Sequence, residues 1–154
     1  MSTLRQIAEI VQLRKDGQAE KALEAALALY KSYPDVAEVC NQVAWTYDFL
    51  GKEKDAVPFY VDALAKGLKG ENRQGAMLGL GSTYRCLGEY AKSKDIFDQA
   101  IREFPDNRAL KVLHAITLYN CGEYNKSVEA LLTHLLDPTA AGETKSYNGA
   151  PRFY

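Results

Sequence analysis

Four glycine-centred turns set the frame of this chain: Lys15-Asp16-Gly17-Gln18, Leu50-Gly51-Lys52-Glu53, Leu87-Gly88-Glu89-Tyr90 and Cys121-Gly122-Glu123-Tyr124. The glycines follow one another at spacings of 34, 37 and 34 residues. A period in this range, with matching apolar residues around each glycine, is the signature of stacked helical units. Such arrays usually serve as binding surfaces rather than as catalysts.

Each glycine separates two helical patterns. In the second unit Val39, Cys40, Val43, Ala44 and Tyr47 line one face of an amphipathic helix. Gly51 can take the left-handed conformation that ends it. Ala56, Phe59, Tyr60, Ala63 and Leu64 then mark a second helix, with Pro58 expected in its first turn. The third unit repeats the scheme with Met77, Leu80, Gly81, Tyr84 and Leu87, then Tyr90, Ser93, Phe97, Ala100 and Ile101. Phe104-Pro105-Asp106-Asn107 closes it, because proline discourages helix at the residue before it. The longer spacing of 37 places three extra residues, Glu71-Asn72-Arg73, between the second and third units.

These positions resemble the tetratricopeptide repeat, a helix–turn–helix module. In the third unit Met77, Leu80, Gly81, Tyr84, Gly88, Tyr90, Ser93, Phe97, Ala100 and Pro105 carry the resemblance. Cys40, Val43, Ala44, Tyr47, Gly51, Ala56, Tyr60 and Ala63 carry it in the second. The outer units match less fully, through Gly17, Ala22 and Pro34 in the first and Ala115, Gly122, Tyr124 and Ser127 in the fourth. Terminal units are expected to differ, since one side of each meets solvent. The whole chain resembles small bacterial-type proteins of this family. The resemblance implies an all-α, right-handed α-solenoid of four repeats and about eight helices. The expected array spans residues 1–137, with repeats at about 3–36, 37–70, 74–107 and 108–137, followed by an irregular tail at 138–154.

The resemblance also implies a concave groove lined by the first helix of each unit. It places Asn41, Trp45, Asp48 and Phe49 there from the second unit. Leu78, Ser82, Arg85 and Cys86 come from the third, and Ile116 and Tyr119 from the fourth. Trp45 is the sole tryptophan. It is expected either to anchor a partner, as interface aromatics do, or to close the groove against Tyr84 or Arg85. Arg14 and Arg85 are candidate carboxylate holders. The chaperone-tail clamp of some family members is not expected, because Ile7, Val11, Asn41, Trp45, Leu78 and Ser82 occupy its key positions. An unidentified protein or peptide, apolar or helical, suits the groove better.

Composition removes several alternatives. The formal net charge is -1, from 19 Lys and Arg against 20 Asp and Glu spread along the chain, with no basic block to hold nucleic acid. No apolar run reaches the length needed to span a membrane, and Met1-Ser2-Thr3-Leu4-Arg5-Gln6 lacks the apolar core of a signal peptide. Cys40, Cys86 and Cys121 are widely separated, which suits free thiols in a reducing, cytoplasmic setting. His114 and His134 stand on the two helices of the fourth unit, where a metal or catalytic pair with Cys121 or Glu129 is conceivable. No third ligand has a convincing spacing, so neither a cofactor nor catalysis is expected. The carboxylates are not expected to sit where burial would raise their pKa.

The last helical pattern has a wide apolar stripe of Val128, Leu131, Leu132, Leu135 and Leu136. It exceeds what one partner helix can cover. Either Tyr147, Phe153 or Tyr154 of the tail covers it, or a second copy does. A homodimer through Val128, Leu132 and Leu136, or through the tail, is the alternative function. A further possibility places the tail in a groove as a peptide mimic.

Overall fold

The computed structural model describes residues 1–137. Among these residues there are eight helices and no strand: α1 (Thr3–Lys15), α2 (Ala19–Ser32), α3 (Ala37–Phe49), α4 (Glu53–Ala65), α5 (Gly70–Cys86), α6 (Tyr90–Glu103), α7 (Arg108–Asn120) and α8 (Tyr124–Leu135). The architecture is the all-α helix–turn–helix solenoid that the period predicts. The expectations for Tyr147, Phe153 and Tyr154 lie outside the described residues.

The turn glycines close the odd-numbered helices by one device. At the end of α3 the Gly51 N–H donates to the Asp48 carbonyl and the Lys52 N–H to the Tyr47 carbonyl, both at 2.9 Å. This paired closure needs a left-handed residue, and Gly51 has φ 69°. Gln18, Glu89 and Glu123 donate to the carbonyls of Leu13, Tyr84 and Leu118 at 2.9 Å in the same way. The starts of α1 and α7 are capped by Ser2 and Asn107, whose side chains accept from the N–H groups of Arg5 and Leu110.

Two expectations require correction. Glu71, Asn72 and Arg73 are not an insertion between units but the first turn of α5, which runs to 17 residues. Gly67 and Gly70 supply no proline to delay the helix. Arg73 is also fastened across the helix pair, its Nε 2.6 Å from Oε2 and its Nη2 2.9 Å from Oε1 of Glu103. Pro58 stands inside α4, five residues beyond its first residue Glu53, rather than in the first turn. It is exposed and near the helix start, so the carbonyl of Lys54 that it leaves unbonded can turn to water.

Each junction between consecutive units has its own apolar cluster. Ile10, Ala22, Ala26, Leu29, Val39 and Val43 join the first unit to the second. Cys40, Ala44, Ala56, Tyr60, Ala63, Leu68, Ala76 and Leu80 join the second to the third. Met77, Phe97, Ala100, Leu110 and Leu113 join the third to the fourth. Small residues let the helices close in. A Cβ at Gly79 would lie 2.5 Å from the Tyr60 hydroxyl oxygen, and one at Gly81 2.5 Å from Cζ of Phe97.

Candidate functional site: the concave face and its polar seam

The helices that precede each turn glycine pack on one another in succession, α1 on α3, α3 on α5 and α5 on α7. Together they build one continuous face. The strongest apolar exposure on it comes from Trp45 (49%), Phe49 (58%) and Tyr119 (58%). Leu78, Ser82, Arg85 and Ile116 are half-buried between these aromatics. Tyr119 leans on Tyr124 with ring centroids 4.9 Å apart. Asn41 departs from the expectation: it is 3% exposed, turned into the α1–α3 contact and away from any ligand. Cys86 is exposed on the same helix as Arg85, while Cys40 is buried, and all three cysteines are free.

Trp45 has a cation above it, though not the expected one. The guanidinium of Arg14 lies 4.9 Å from its ring centroid, so the partner comes from the preceding unit. Arg14 was expected to be available to a ligand, yet it is 6% exposed. Its Nη1 donates to Thr46 Oγ1 at 2.7 Å and its Nη2 to Gln42 Oε1 at 2.6 Å. Burial lowers its pKa, while nearby Tyr60 pulls the other way.

Beneath the groove runs a seam of buried polar groups that the sequence reading missed. Thr46, Thr83 and Thr117 each stand five residues before a turn glycine and are 0%, 1% and 0% exposed. Their hydroxyls donate back to the carbonyls of Gln42, Gly79 and Leu113 at 2.7, 2.7 and 2.9 Å. Each also meets a neighbouring element. Thr46 accepts from Arg14, Thr83 lies 3.3 Å from Oδ1 of Asp48, and Thr117 lies 3.3 Å from the Ser93 hydroxyl. Ser93 and Ser127 donate to the carbonyls of Gly81 and Ala115, both at 2.7 Å. The signal was available, because the threonines recur at the spacing of the glycines.

Asp48 corrects another expectation. Burial pushes its carboxyl above the ordinary range, although hydrogen bonds from Tyr60 and Thr83 oppose the shift. The Tyr60 hydroxyl donates to its Oδ2 at 3.1 Å. Burial, with the Asp48 charge beside it, raises the Tyr60 phenol well above its usual pKa. Asp48 therefore ties α3 to α4 and α5, with both oxygens engaged.

The two histidines do not form a site. His114 Nε2 lies 2.7 Å from Oδ1 of Asp98 on α6, and Lys94 donates to the other oxygen of the same carboxylate at 2.7 Å. His134 lies near Lys111 and Arg108, and burial together with those charges lowers its pKa. Among the described residues no group of three His, Cys, Asp or Glu side chains is placed to hold a metal ion. None of the described helices is long and apolar enough to cross a membrane.

At the end of the array α8 packs on α7 and buries only Ser127 among its residues. Val128, Leu132, Leu135 and Leu136 are 53%, 50%, 78% and 77% exposed. The apolar stripe is thus where the pattern put it, and no further helix covers it among the described residues.

A family model described as tetratrico peptide repeat matches residues 37–143. No curated protein matches the chain. Several solved structures share the fold at low identity. MamA of AMB-1 aligns with a TM-score of 0.76 at 17% identity, over 96% of this chain and 78% of that one. YrrB, described as a tetratricopeptide repeat protein with an unusual peptide-binding site, aligns with a TM-score of 0.74 at 14% identity, over 85% and 66%. A tetratricopeptide repeat protein from Parabacteroides merdae aligns with a TM-score of 0.73 at 20% identity, over 83% and 49%. At these identities the likeness concerns the fold alone.

Proposed function

Because the chain belongs to the tetratricopeptide repeat family, we propose that it is a non-catalytic interaction module whose concave face binds a peptide or helix of another protein. One observation carries this reading: Trp45, Phe49 and Tyr119 stay half exposed on a face whose other side chains are packed. Exposed aromatics on a rigid surface give large contact area at small entropic cost. The description of YrrB as a peptide-binding repeat protein supports the same use of this architecture. The free thiols of Cys40, Cys86 and Cys121 favour a reducing, cytoplasmic setting.

The test is affinity capture from native lysate with wild type, Trp45→Ala and Phe49→Ala. Loss of the captured proteins with either variant, at unchanged helicity, is expected. An identical set of captured proteins with all three chains would mean that the groove is not the functional surface.

The bare stripe on α8 supports a second reading, self-association through Val128, Leu132 and Leu136. Sedimentation at micromolar concentration decides it. A wild-type dimer that Leu132→Asp turns into a monomer supports it, and a wild-type monomer removes it.

A further inference from the structure

Two donors on the concave face have nothing to bond. The Nε of Arg85 and the hydroxyl of Ser82 are both shielded from solvent and lack a hydrogen-bond partner. They stand three residues apart on α5, hence on one side of that helix. The comparable groups of the groove are already committed. Arg14, which occupies the position of Arg85 one array end away, spends its guanidinium on Thr46, Gln42 and the Trp45 ring. Asp48, the carboxylate at the same position of the second unit, is engaged by Tyr60 and Thr83. A shielded guanidinium N–H without an acceptor is costly to maintain. An anionic oxygen arriving at that point relieves the cost and forms a charge-assisted bond, about twice as strong as a neutral one.

The surroundings say how the ligand runs. Trp45 and Phe49 on α3 lie to one side of α5, and Ile116 and Tyr119 on α7 lie to the other. A chain end anchored at Arg85 would leave one of these apolar walls empty. A carboxylate inside a peptide, with apolar residues both before and after it, fills both. On the reading that the groove binds peptides, we propose that Arg85, helped by Ser82, selects segments carrying an internal Glu or Asp between two apolar anchors.

The experiment uses the full chain and four sets of nine-residue acetylated peptides. The first three have Leu or Phe anchors flanking a central Glu, Gln or Lys and an amidated C-terminus. The fourth has the Gln centre and a free terminal carboxylate. Binding is read by anisotropy of labelled peptides and by the emission of Trp45. Glu peptides should bind wild type about tenfold more tightly than Gln peptides, the size of one charge-assisted bond. Arg85→Gln should make the two sets equal, Arg85→Lys should keep part of the preference, and Ser82→Ala should reduce it about threefold. Equal binding of Glu and Gln peptides by wild type overturns the proposal. So does a Glu preference that survives in Arg85→Gln, or tighter binding by the free-carboxylate set. Equal binding that still depends on Trp45 leaves the groove function intact while removing the selectivity. No binding by any set, with Trp45 emission unmoved, defeats both.

Discussion

Replacing Gly81 by alanine should destabilise the array, even though alanine is the better helix former. The added Cβ would lie 2.5, 2.7 and 2.8 Å from three ring carbons of Phe97. Comfortable carbon contacts are about 3.5–4.0 Å, so something must move by about 1 Å. The ring cannot retreat cheaply, because Phe97 is 0% exposed and its cluster contains Met77, Ala100, Leu110 and Leu113. Overpacking of this kind costs about 1–3 kcal/mol. The intrinsic helix preference returns about 1 kcal/mol. A full ångström of displacement belongs at the upper end of the cost, so the net loss should be about 1–2 kcal/mol. Gly75, on the same helix, is the internal control: it is exposed, and a Cβ there would meet nothing within 4 Å. Gly75→Ala should stabilise by about 0.5–1 kcal/mol. Urea unfolding followed by Trp45 emission measures both, provided the m-values agree with wild type. Gly81→Ala combined with Phe97→Leu should lose less than the sum of the single changes. If Gly81→Ala proves as stabilising as Gly75→Ala, the close approach of α5 and α6 is not the reason for glycine at that position.

Arg14→Leu should cost about 2 kcal/mol in the same assay, since it leaves buried Gln42 Oε1 without its donor; a loss below about 0.5 kcal/mol would mean that the α1–α3 contact does not rest on this residue. Arg14→Lys should recover little of it, because an ammonium cannot reach Gln42 and Thr46 with the fork of a guanidinium. Glu103 titrates near 2 in the folded chain, chiefly through the hydrogen bond from Arg73, against 4.5 ordinarily. A depressed carboxyl stabilises above its unfolded pKa, so this contribution is complete above about pH 5 and fades as pH falls from 4.5 toward 2. Partial exposure limits it to about 0.5 kcal/mol. Glu103→Gln should flatten stability against pH in that window, and an acid limb identical to wild type would refute the assignment.

The elements were legible because the glycines and the apolar faces around them report local geometry. A left-handed closure needs glycine, and an amphipathic helix needs its stripe, whatever lies beyond. The start of α5 was less legible because helix boundaries depend on what fastens the first turn. Arg73 is fastened by Glu103, 30 residues away in sequence. The burial of Arg14 was invisible for a similar reason. An arginine that reads as a surface cation becomes a structural bond only when Thr46 and Gln42 of the next unit surround it. Asp48 likewise gains its raised pKa from the packing of α4 and α5 around α3. Trp45 and Phe49 were readable as exposed because the repeat register alone assigns that face. Asn41 failed on the same register because the contact of α1 with α3 closes over it.

The buried threonines also govern how faithfully the array keeps its shape. Junctions made only of alanine and leucine could slide along one another by a fraction of a turn with modest loss. Thr46, Thr83 and Thr117 forbid that, because any slip separates them from Arg14, Asp48 and Ser93 and strands those polar groups in an apolar layer. The stagger between units is therefore locked. The distances from Trp45 to Arg85 to Tyr119 then act as a ruler, and a peptide must match its own side-chain spacing to that ruler before it can bind.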